Sequence, residues 1–467
     1  MKTVIHWFRR DLRVSDNVAL SEAARRAETV LPVFIFEAAF RTGPDVGAAR
    51  LAFLLQSVES LRKNLAELGH QLILRCGQSE ELLPALCRET GAQAVFANKR
   101  YEPYAQRRDE RITGILNAAG FGFELFKDAV VWEETEILTQ AGKPYTVFTP
   151  YAKAWKAKPI PKPHAIFPIR NPQSTIRNLK SEALPRTPAE IGLPLTQTIP
   201  PGGESAAREL LRRFMAGPVH DYGANRDFPA RDGTSGLSPH LRAGTIGIRT
   251  ILAELKTARE NKSAIGNGCD VFLNELIWRE FYLQVLHNFP HVTQGAFRPE
   301  YNALKWSENR EHFAAWCAGR TGYPIVDAAL RCLNATGTMP NRLRMVTAMF
   351  LTKDLLISWQ WGERYFMQQL VDGDLAANNG GWQWCAGTGT DAAPYFRIFN
   401  PVAQGEKFDP QGDFVRRWIP ELKAFPADSI QQPWENPLLL AQSNYPPRIV
   451  LHAEQRGKCL AMFKAVK

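Results

Sequence analysis

Two apolar segments near the N-terminus, TVIHWF (Thr3–Phe8) and LPVFIF (Leu31–Phe36), decide the fold of the first 150 residues. Both are short runs rich in β-branched and aromatic residues, which favour buried strands. Three later segments have a similar pattern: Gln71–Arg75, Ala94–Ala97 and Phe123–Phe126. Between the strands, Gly47–Leu68 and Glu80–Glu89 have the spacing of amphipathic helices. This alternation predicts a doubly wound parallel α/β sheet that binds ligands at the carboxyl ends of its strands.

The composition changes after this α/β region. Ten of the 32 prolines lie between Pro159 and Pro201, a density that prevents long helices. From Glu204 onward, apolar residues recur with helical spacing in three long segments: Cys269–Leu286, Tyr323–Thr336 and Asn341–Trp359. We therefore predict an α/β domain over residues 1–150, a long proline-rich linker over 151–203 that lies between two domains, and an all-α domain over 204–467.

The net charge and the tryptophan content are both unusual. The formal net charge is +10, which favours a polyanionic partner such as nucleic acid. The chain also contains 12 tryptophans, a residue that is normally sparse. A basic protein with a tryptophan-rich core is the plainer explanation, and composition alone favours it.

The cysteines and the apolar segments limit the class of protein. The seven cysteines are scattered without a C-x-x-C pair, which argues against zinc, iron–sulfur and disulfide sites and favours a reducing cytoplasm. No apolar run reaches about 18 residues, so we expect no membrane span. Charged residues from Arg9 to Asp11 interrupt the first apolar run, so we expect no secretory signal there.

A hydroxyl-rich turn precedes a proline in the segment GTSGLSPH (Gly233–His240). Its hydroxyl groups belong to Thr234, Ser235 and Ser238, and the following proline suits the first turn of a helix. The free N–H groups and positive dipole at a helix start can bind a phosphate, and Tyr222 lies just upstream to cover a ligand. A well-capped helix without a ligand is the alternative, and the segment by itself favours it.

The segment NELIWREFY (Asn274–Tyr282) places Glu275, Trp278 and Tyr282 on one helix face. An apolar helix does not need an acid beside an indole, and the functional interpretation is an acid poised beside an aromatic platform for a nucleobase. The alternative is an intrahelical Glu275–Arg279 pair with Trp278 in the core.

The segment NRLRM (Asn341–Met345) puts an amide, a guanidinium and a thioether on one helix face, from Asn341, Arg344 and Met345. Arg342 points elsewhere and suits a phosphate. Core helices rarely carry this mixture, and the functional and structural explanations of the segment are evenly matched.

The segment DGDLAANNGGWQW (Asp372–Trp384) is the richest in chemistry. Its Asx and Gly residues predict a loop or a helix boundary rather than a helix interior. Asp372, if buried, needs a cation, and Arg344 is the candidate. Trp382 and Trp384 lie two residues apart, so on a helix they face nearly opposite directions, one toward a substrate and one toward the interior. We expect no metal site, because the two aspartates lack further ligands.

In these segments the chain resembles the photolyase/cryptochrome family, and within it the class I cyclobutane pyrimidine dimer photolyases of bacteria. The similarity begins with WFRRDLRVSDN (Trp7–Asn17), continues through TGYPIVDAALR (321–331) and includes DGDLAANNGGWQWCAGTGTDAAPYFRIFNP (372–401). Several ordered blocks over nearly the whole chain make the resemblance highly specific. It implies a light-driven DNA repair enzyme with an α/β antenna domain and a helical domain that binds FAD and DNA.

By motif match, the resemblance also implies which residues hold FAD. The cofactor-binding residues are expected to be Tyr222, Thr234, Ser235, Leu237, Ser238, Phe272, Arg279, Arg344, Asp372, Asp374 and Asn378. Phe272 stands where many relatives have Trp. Trp382, Trp359 and Trp306 match the family's electron-transfer chain, which reduces the flavin on illumination. These tryptophans, Glu275 and Asn378 are the expected catalytic residues.

The substrate residues follow from the same resemblance. Those expected to contact the dimer or its DNA are Arg226, Glu275, Trp278, Asn341, Arg342, Met345, Trp384 and Arg397. The dimer is expected to flip out of double-stranded DNA, and Trp278 and Trp384 are expected to sandwich it against the adenine of FAD. Light-excited, reduced FAD then supplies the electron that splits it, and a hydrogen bond from Glu275 steadies the dimer radical anion.

The identity of a second, antenna chromophore stays open. The family offers 8-hydroxy-deazaflavin, methenyl-tetrahydrofolate or an empty cleft. In YEPYAQRRD (Tyr101–Asp109), Tyr104 and Ala105 stand where folate-binding relatives have an Asn–Glu pair. The EPY sequence is more similar to the deazaflavin-binding branch.

Three alternatives share parts of this pattern. A cryptochrome-type blue-light photoreceptor has the same fold, although Asn378 matches the photolyase choice near the flavin. An enzyme for (6–4) photoproducts carries a His pair where this chain has Met339–Pro340–Asn341. A basic DNA-binding protein without catalysis binds no flavin. We expect a cytoplasmic, monomeric enzyme that acts on pyrimidine dimers in double-stranded DNA.

Overall fold

The N-terminal region is built on a parallel sheet with the strand order β3-β2-β1-β4-β5. The computed structural model describes residues 1–43, 45–165, 168, 179, 181–260 and 267–466. The strands are β1 (Thr3–Phe8), β2 (Thr29–Phe36), β3 (Ile73–Cys76), β4 (Ala94–Asn98) and β5 (Gly122–Phe126). Every pairing between them is parallel, which confirms the predicted sheet.

Helices cover both faces of this sheet. They are α1 (Val18–Arg26), α2 (Ala48–Glu67), α3 (Ser79–Thr90) and α4 (Pro103–Ala118). Alternate strand residues point to opposite faces, so Val4 packs with α1 and α2 while Ile5 packs with α3 and α4. The sheet is therefore doubly wound, as predicted. The helices α2 and α3 match the predicted ones, whereas α1 and α4 were not predicted.

A further helix, α5 (Phe148–Lys156), crosses the predicted domain boundary at residue 150. Its Tyr151 and Trp155 are buried in an apolar cluster of the helical region. This helix therefore packs with the second half of the chain although it precedes the proline-rich segment.

The proline-rich segment contacts both halves of the molecule. The backbone N–H of Gly202 donates to Gln56 Oε1 of α2 at 2.9 Å, and that of Thr198 donates to the carbonyl of Ala335 at 2.9 Å. The boundaries at residues 150 and 203 stay predictions.

From Glu204 onward, the described residues form mainly helices. They are α6 (Glu204–Ala216), α7 (Tyr222–Asn225), α8 (Ser238–Ala243), α9 (Ile248–Glu260), α10 (Gly268–Asn288), α11 (Arg310–Cys317), α12 (Pro324–Thr336), α13 (Asn341–Met349), α14 (Trp359–Gln369), α15 (Leu375–Ala386), α16 (Pro401–Phe408), α17 (Asp413–Trp418), α18 (Pro437–Ser443) and α19 (His452–Lys464). One large apolar cluster surrounds α10, and another holds α12 to α15. The predicted all-α architecture is confirmed.

The single helix predicted over Asn341–Trp359 is wrong in its second half. α13 ends at Met349, a π-helical turn spans Phe350–Asp354, and α14 begins at Trp359. Residues on both sides of the break are buried: Leu351, Leu355 and Ile357. Because apolar spacing continues across the break, the sequence pattern does not reveal it.

A buried network of four charged side chains joins the sheet to the helical region. Asp128 Oδ1 lies 2.7 Å from Arg13 Nη2 and 2.7 Å from Arg249 Nη2, and Asp16 Oδ1 lies 2.8 Å from Arg249 Nε. Each side chain exposes 4% or less of its surface. Burial alone would raise the pKa of Asp128, but the two guanidinium charges outweigh it and hold that pKa below its usual value. The network is therefore balanced, with two cations and two anions.

Three properties bear on the class of protein. No helix among the described residues combines the length and apolarity needed to cross a bilayer. The seven cysteines are free thiols. The described ranges contain no cluster of three or more His, Cys, Asp or Glu side chains suited to a metal ion.

We predict that Arg249→Leu lowers the free energy of unfolding by about 3–5 kcal/mol, because it leaves Asp16 and Asp128 buried with too little positive charge. Urea denaturation at pH 7, followed by circular dichroism, measures the change. The matched control is Arg25→Leu, since Arg25 is an exposed arginine paired with Glu22. Equal denaturation midpoints for both variants would contradict the role of the network.

Candidate functional site

Helices from distant parts of the chain meet in one region of the helical half. The helix α10 packs against α7 and α15, and α13 packs against α15. The start of α8 lies close to Asp372, since Ser238 is among the groups that lower the pKa of that carboxyl. Most of the site residues predicted from the sequence lie on these elements, so folding brings them together.

The hydroxyl-rich turn leads into α8 as predicted. The helix begins at Ser238, and Leu237, directly before it, is buried. The hydroxyl of Ser235 accepts a hydrogen bond from the Leu237 N–H at 3.3 Å. Thr234 and Ser238 are exposed, so their hydroxyl groups are available to a ligand.

Aromatic and charged side chains meet beside this turn. The rings of Tyr222 and Phe272 are 5.3 Å apart at 79°, and the Arg226 guanidinium lies 5.6 Å from the Tyr222 ring. Burial raises the pKa of Tyr222 to about 12, so its phenol is neutral at pH 7. Arg226 Nη1 also pairs with Glu275 Oε1.

Glu275 pairs with Arg226 rather than with Arg279, its neighbour on the same helix. Arg279 Nη1 instead donates to the carbonyl of Ala129 at 2.8 Å. The intrahelical pair considered from the sequence is therefore wrong. Arg279 links α10 to the segment that follows the sheet.

The pair predicted between Arg344 and Asp372 is present. Arg344 Nη2 lies 2.8 Å from Asp372 Oδ2, and Arg344 Nε donates to the carbonyl of Met339 at 2.8 Å. Burial alone would raise the pKa of Asp372, but the Arg344 charge and hydrogen bonds from Arg344 and Ser238 outweigh it, so the pKa lies below its usual value. Asp372 is therefore a carboxylate at pH 7.

The prediction that residues 372–384 lie in a loop or at a helix boundary is wrong for their second half. Asp374 does cap α15, accepting hydrogen bonds from the N–H groups of Ala376 and Ala377. Asn378 and Gly380, however, lie inside the helix. A Cβ on Gly380 would lie 2.1 Å from the ring of Tyr282, so glycine is required by the packing of α10 on α15. Tertiary contacts here override weak helix propensity.

The two tryptophans of α15 differ in exposure, as their spacing predicts. Trp382 exposes 2% of its surface and contacts the rings of Phe366 and Trp316. Trp384 is half-buried and lines a small cleft together with Tyr282 and Asp391. One helix therefore presents one indole to the core and the other to a cleft.

The three tryptophans expected to carry electrons share one apolar cluster. Trp382 and Trp359 are buried in it, and Trp306 packs at its edge in a half-buried position. Trp306 also contacts Phe463 of α19, with ring centroids 6.4 Å apart. Trp306 is therefore the most exposed of the three.

The expected DNA-binding residues lie around the same region. Asn341 and Arg397 are exposed, and Met345 is half-buried. Arg342 Nη2 lies 2.6 Å from Asp227 Oδ2. Trp278 is half-buried, with its ring 5.4 Å from that of Tyr282.

Two family models match this chain. Residues 4–166 match the family model described as DNA photolyase, and residues 272–465 match the FAD binding domain of DNA photolyase. A deoxyribodipyrimidine photo-lyase from Vibrio cholerae is 40% identical over 470 residues, covering 99% of each chain. The chain belongs to the DNA photolyase family.

Solved structures of photolyases are similar over the whole chain. A bacterial class III photolyase from Agrobacterium tumefaciens has a TM-score of 0.89 and 37% identity, covering 100% of this chain and 98% of that one. An archaeal photolyase from Sulfolobus tokodaii, solved with two FAD molecules, has a TM-score of 0.85 and 31% identity, covering 99% and 100%. Because a class III photolyase is among them, the class I assignment stays a prediction.

FAD is the cofactor of this photolyase, and the residues at the site fit it. The exposed hydroxyls of Thr234 and Ser238 suit phosphate oxygens, and the Arg344–Asp372 pair suits a polar ring edge. Gly381 of α15 faces open space, since a Cβ there would meet no atom within 4 Å.

Sequence reasoning missed several partners of these residues. Glu363 accepts hydrogen bonds from Asn378 Nδ2 through its carbonyl, at 2.9 Å, and from Asn379 Nδ2 through Oε1, at 3.0 Å. Burial raises the pKa of Glu363 to about 7. Asp227, the partner of Arg342, lies next to Arg226 in the sequence. Its position beside a predicted DNA-binding arginine was the one signal that could have identified it. No local signal pointed to Glu363.

We predict that Asp372→Asn lowers the free energy of unfolding at pH 7 by about 1–3 kcal/mol, because Arg344 loses its anionic partner while half-buried. A carboxylate with a depressed pKa stabilises the fold above its unfolded pKa. The difference from the unsubstituted protein should therefore stay constant above about pH 4 and shrink below it.

Urea denaturation at pH 7, 5 and 3 measures this difference. Asp413→Asn is the control, since that carboxylate is exposed on α17. A difference that grows as the pH falls would contradict the ion pair.

Proposed function

We propose that this chain splits cyclobutane pyrimidine dimers in DNA, in the light-driven, FAD-dependent reaction of a deoxyribodipyrimidine photo-lyase. The arrangement on α15 is the observation that carries this proposal. Within seven residues it holds Asn378, the buried Trp382 and the half-buried Trp384. The name of the full-length curated relative supports the enzyme over the cryptochrome-type photoreceptor.

The residues around α8 and α13 hold the cofactor. When bound and reduced, FAD supplies an electron under light and receives it back after the ring has split. Five residues hold its phosphates and ribityl chain: Tyr222, Thr234, Ser235, Leu237 and Ser238. The residues of its pocket wall and polar edge are Phe272, Arg279, Arg344, Asp372, Asp374 and Asn378. Glu363 fixes the amide of Asn378, because its carbonyl takes the Nδ2 hydrogen.

The lesion binds between two indoles. Trp278 and Trp384 stack on the flipped-out bases, and Asn341 and Met345 contact their edges. A dimer pairs and stacks poorly in the duplex, so flipping it costs less than flipping intact bases, which supplies selectivity. Glu275, once released from Arg226 and protonated, donates a hydrogen bond to the dimer and steadies the negative charge that the dimer acquires.

Cationic side chains bind the DNA backbone around this pocket. Arg226, Arg342 and Arg397 contact phosphates, and the net charge of +10 adds a long-range attraction. Arg226 pairs with Glu275, and Arg342 pairs with Asp227. These arginines therefore exchange carboxylate partners for phosphates when DNA binds.

Trp382, Trp359 and Trp306 conduct an electron from the surface toward the flavin site. Indoles are among the most easily oxidised side chains, and these three share one apolar cluster. Trp306 is the outermost of them and exchanges the electron with an external donor.

The carboxyl edge of the sheet is suited to the anionic group of a second chromophore, and an empty cleft is the alternative. Arg10 follows β1 and Arg100 follows β4, the neighbouring strands at which the connections reverse direction. Burial and the charges of Arg10, Arg50 and Arg100 hold the pKa of Arg242 well below its usual value. Arg10 Nη1 lies 2.5 Å from Glu102 Oε1, yet the arginines outnumber the carboxylates. Both 8-hydroxy-deazaflavin and methenyl-tetrahydrofolate offer an anion.

The partner is double-stranded DNA with pyrimidine dimers, and the protein acts as a monomer. The free cysteines agree with a cytoplasmic enzyme. Size-exclusion chromatography with light scattering tests the monomer, and fluorescence microscopy of the tagged protein tests the location.

A repair assay tests the function. The purified protein should show a flavin absorption band, and under reducing conditions and blue light it should convert a thymine-dimer oligonucleotide into its monomeric form. Chromatography of the oligonucleotide measures the conversion, with a dark sample as the control. Lack of a flavin band, or of light-dependent conversion, would refute the proposal. The same spectrum reveals a second chromophore.

We predict that Trp382→Phe abolishes light-driven reduction of the flavin but spares repair by chemically reduced protein, because only the electron path is cut. The absorbance of reduced flavin under illumination with an external donor measures photoreduction. The oligonucleotide assay measures repair by the chemically reduced protein. Trp132→Phe is the control, since Trp132 is also partly buried but packs against a different apolar cluster from these three tryptophans. Unimpaired photoreduction in Trp382→Phe would remove Trp382 from the path.

A further inference from the structure

Trp278 has a stacking partner outside its own helix. The ring of Phe148, the first residue of α5, lies parallel to the indole, with centroids 3.7 Å apart and an interplanar angle of 5°. Such close stacking excludes water and ligands from that face of Trp278. The indole nevertheless remains half-buried, so the part that solvent reaches lies away from Phe148.

Phe148 is held firmly by the rest of α5. Tyr151 and Trp155 on the same helix are buried, at 1% and 2% exposure. Trp155 Nε1 donates to Glu280 Oε1 of α10 at 2.6 Å. Because α5 is anchored to the helix that carries Trp278, the Phe148 ring keeps a fixed position against the indole. It does not move aside to let a base stack on that face.

The same segment also contacts the loop that lines the cleft beside Trp384. The backbone N–H of Phe148 donates to Asp391 Oδ2 at 2.9 Å, and Thr390 Oγ1 donates to the carbonyl of Thr146 at 2.8 Å. Thr390 and Asp391 line the cleft to which Trp384 contributes. Residues 146–148 therefore connect the element behind Trp278 with the loop beside Trp384.

We propose that Phe148 is a positioning residue for the lesion pocket: it fixes the plane of Trp278, and residues 146–148 set the separation between the two indole walls. This inference rests on the proposed function, since it assumes that a flipped-out dimer lies between Trp278 and Trp384. Phe148 itself contacts neither dimer nor flavin. A free Trp278 would have to lose rotational freedom when the base stacks, whereas the Phe148-backed indole is ordered beforehand.

Binding of damaged and undamaged DNA by flavin-loaded protein tests this role. Phe148→Ala should weaken binding of a thymine-dimer oligonucleotide about two- to tenfold, the scale of one lost aromatic pair. Binding of the same oligonucleotide without the dimer should not change, because it depends on phosphate contacts. Fluorescence anisotropy measures both affinities in the dark.

A graded series separates positioning from simple loss of structure. Phe148→Tyr keeps the stacked ring and should retain discrimination, and Phe148→Leu should be intermediate between Tyr and Ala. The matched control is Phe40→Ala, since Phe40 is a half-buried ring stacked on Phe34 in the α/β region. That variant should keep the discrimination of the unsubstituted protein.

Each outcome decides the proposal. The proposal is supported if the preference for the damaged oligonucleotide falls in the order Phe148→Tyr, Phe148→Leu, Phe148→Ala. The flavin content of the Tyr and Leu variants should stay unchanged. Unchanged discrimination across the series, or equal weakening for both oligonucleotides, overturns it. If the unsubstituted protein does not prefer the dimer, the proposed function fails instead, whatever the Phe148 variants do.

Discussion

The buried charge network of Arg13, Asp16, Asp128 and Arg249 is the constraint on which the rest of the structure depends. It joins residues that follow β1 and β5 to α9 of the helical region. Charges that are almost completely buried tolerate little displacement, because a lost partner leaves an unpaired ion away from water. The network therefore favours one relative placement of sheet and helices, and several interdomain contacts depend on that placement.

Three hydrogen bonds of this kind reach the functional region. Arg279 of α10 donates to the carbonyl of Ala129, adjacent to Asp128, and Glu280 accepts hydrogen bonds from the N–H groups of Val131 and Trp132. The helix that carries Glu275 and Trp278 is thus attached to the chain segment leaving the sheet. A shift between the domains would move one wall of the pocket relative to α15.

The helix α15 shows how packing can reverse a local preference. Two asparagines and two glycines in succession are poor helix formers, yet they lie inside the helix. The side chains of Asn378 and Asn379 find partners on Glu363, and Gly380 lets Tyr282 approach the backbone. The residues that weaken the helix are the ones that allow close packing on α10 and α14, so a locally unfavourable sequence serves the site.

The chemistry that fits this region is an electron-transfer reaction rather than acid–base hydrolysis. Its polar groups are committed to one another: Arg344 to Asp372, Arg226 to Glu275, and Asn378 to Glu363. Such pairs order the side chains around the site before a cofactor or a base binds. The protein's contribution is then distance and orientation, which rigid helices provide.

The sequence by itself determined most of the secondary-structure elements and was enough to show the resemblance to the photolyase family. Period-2 and period-3.6 apolar patterns predicted the parallel sheet and the main helices, because burial of one face is a local property of a segment. The opposite faces of Trp382 and Trp384 followed from helix geometry, and the Arg344–Asp372 pair from the need of a buried acid for a cation. Only the tertiary structure decided two backbone features, the break after Met349 and the helical state of Asn378 to Gly381. It also decided three side-chain pairs: Arg226–Glu275, Arg342–Asp227 and Phe148–Trp278. These depend on which distant segments pack together, and no pattern within a single segment encodes that.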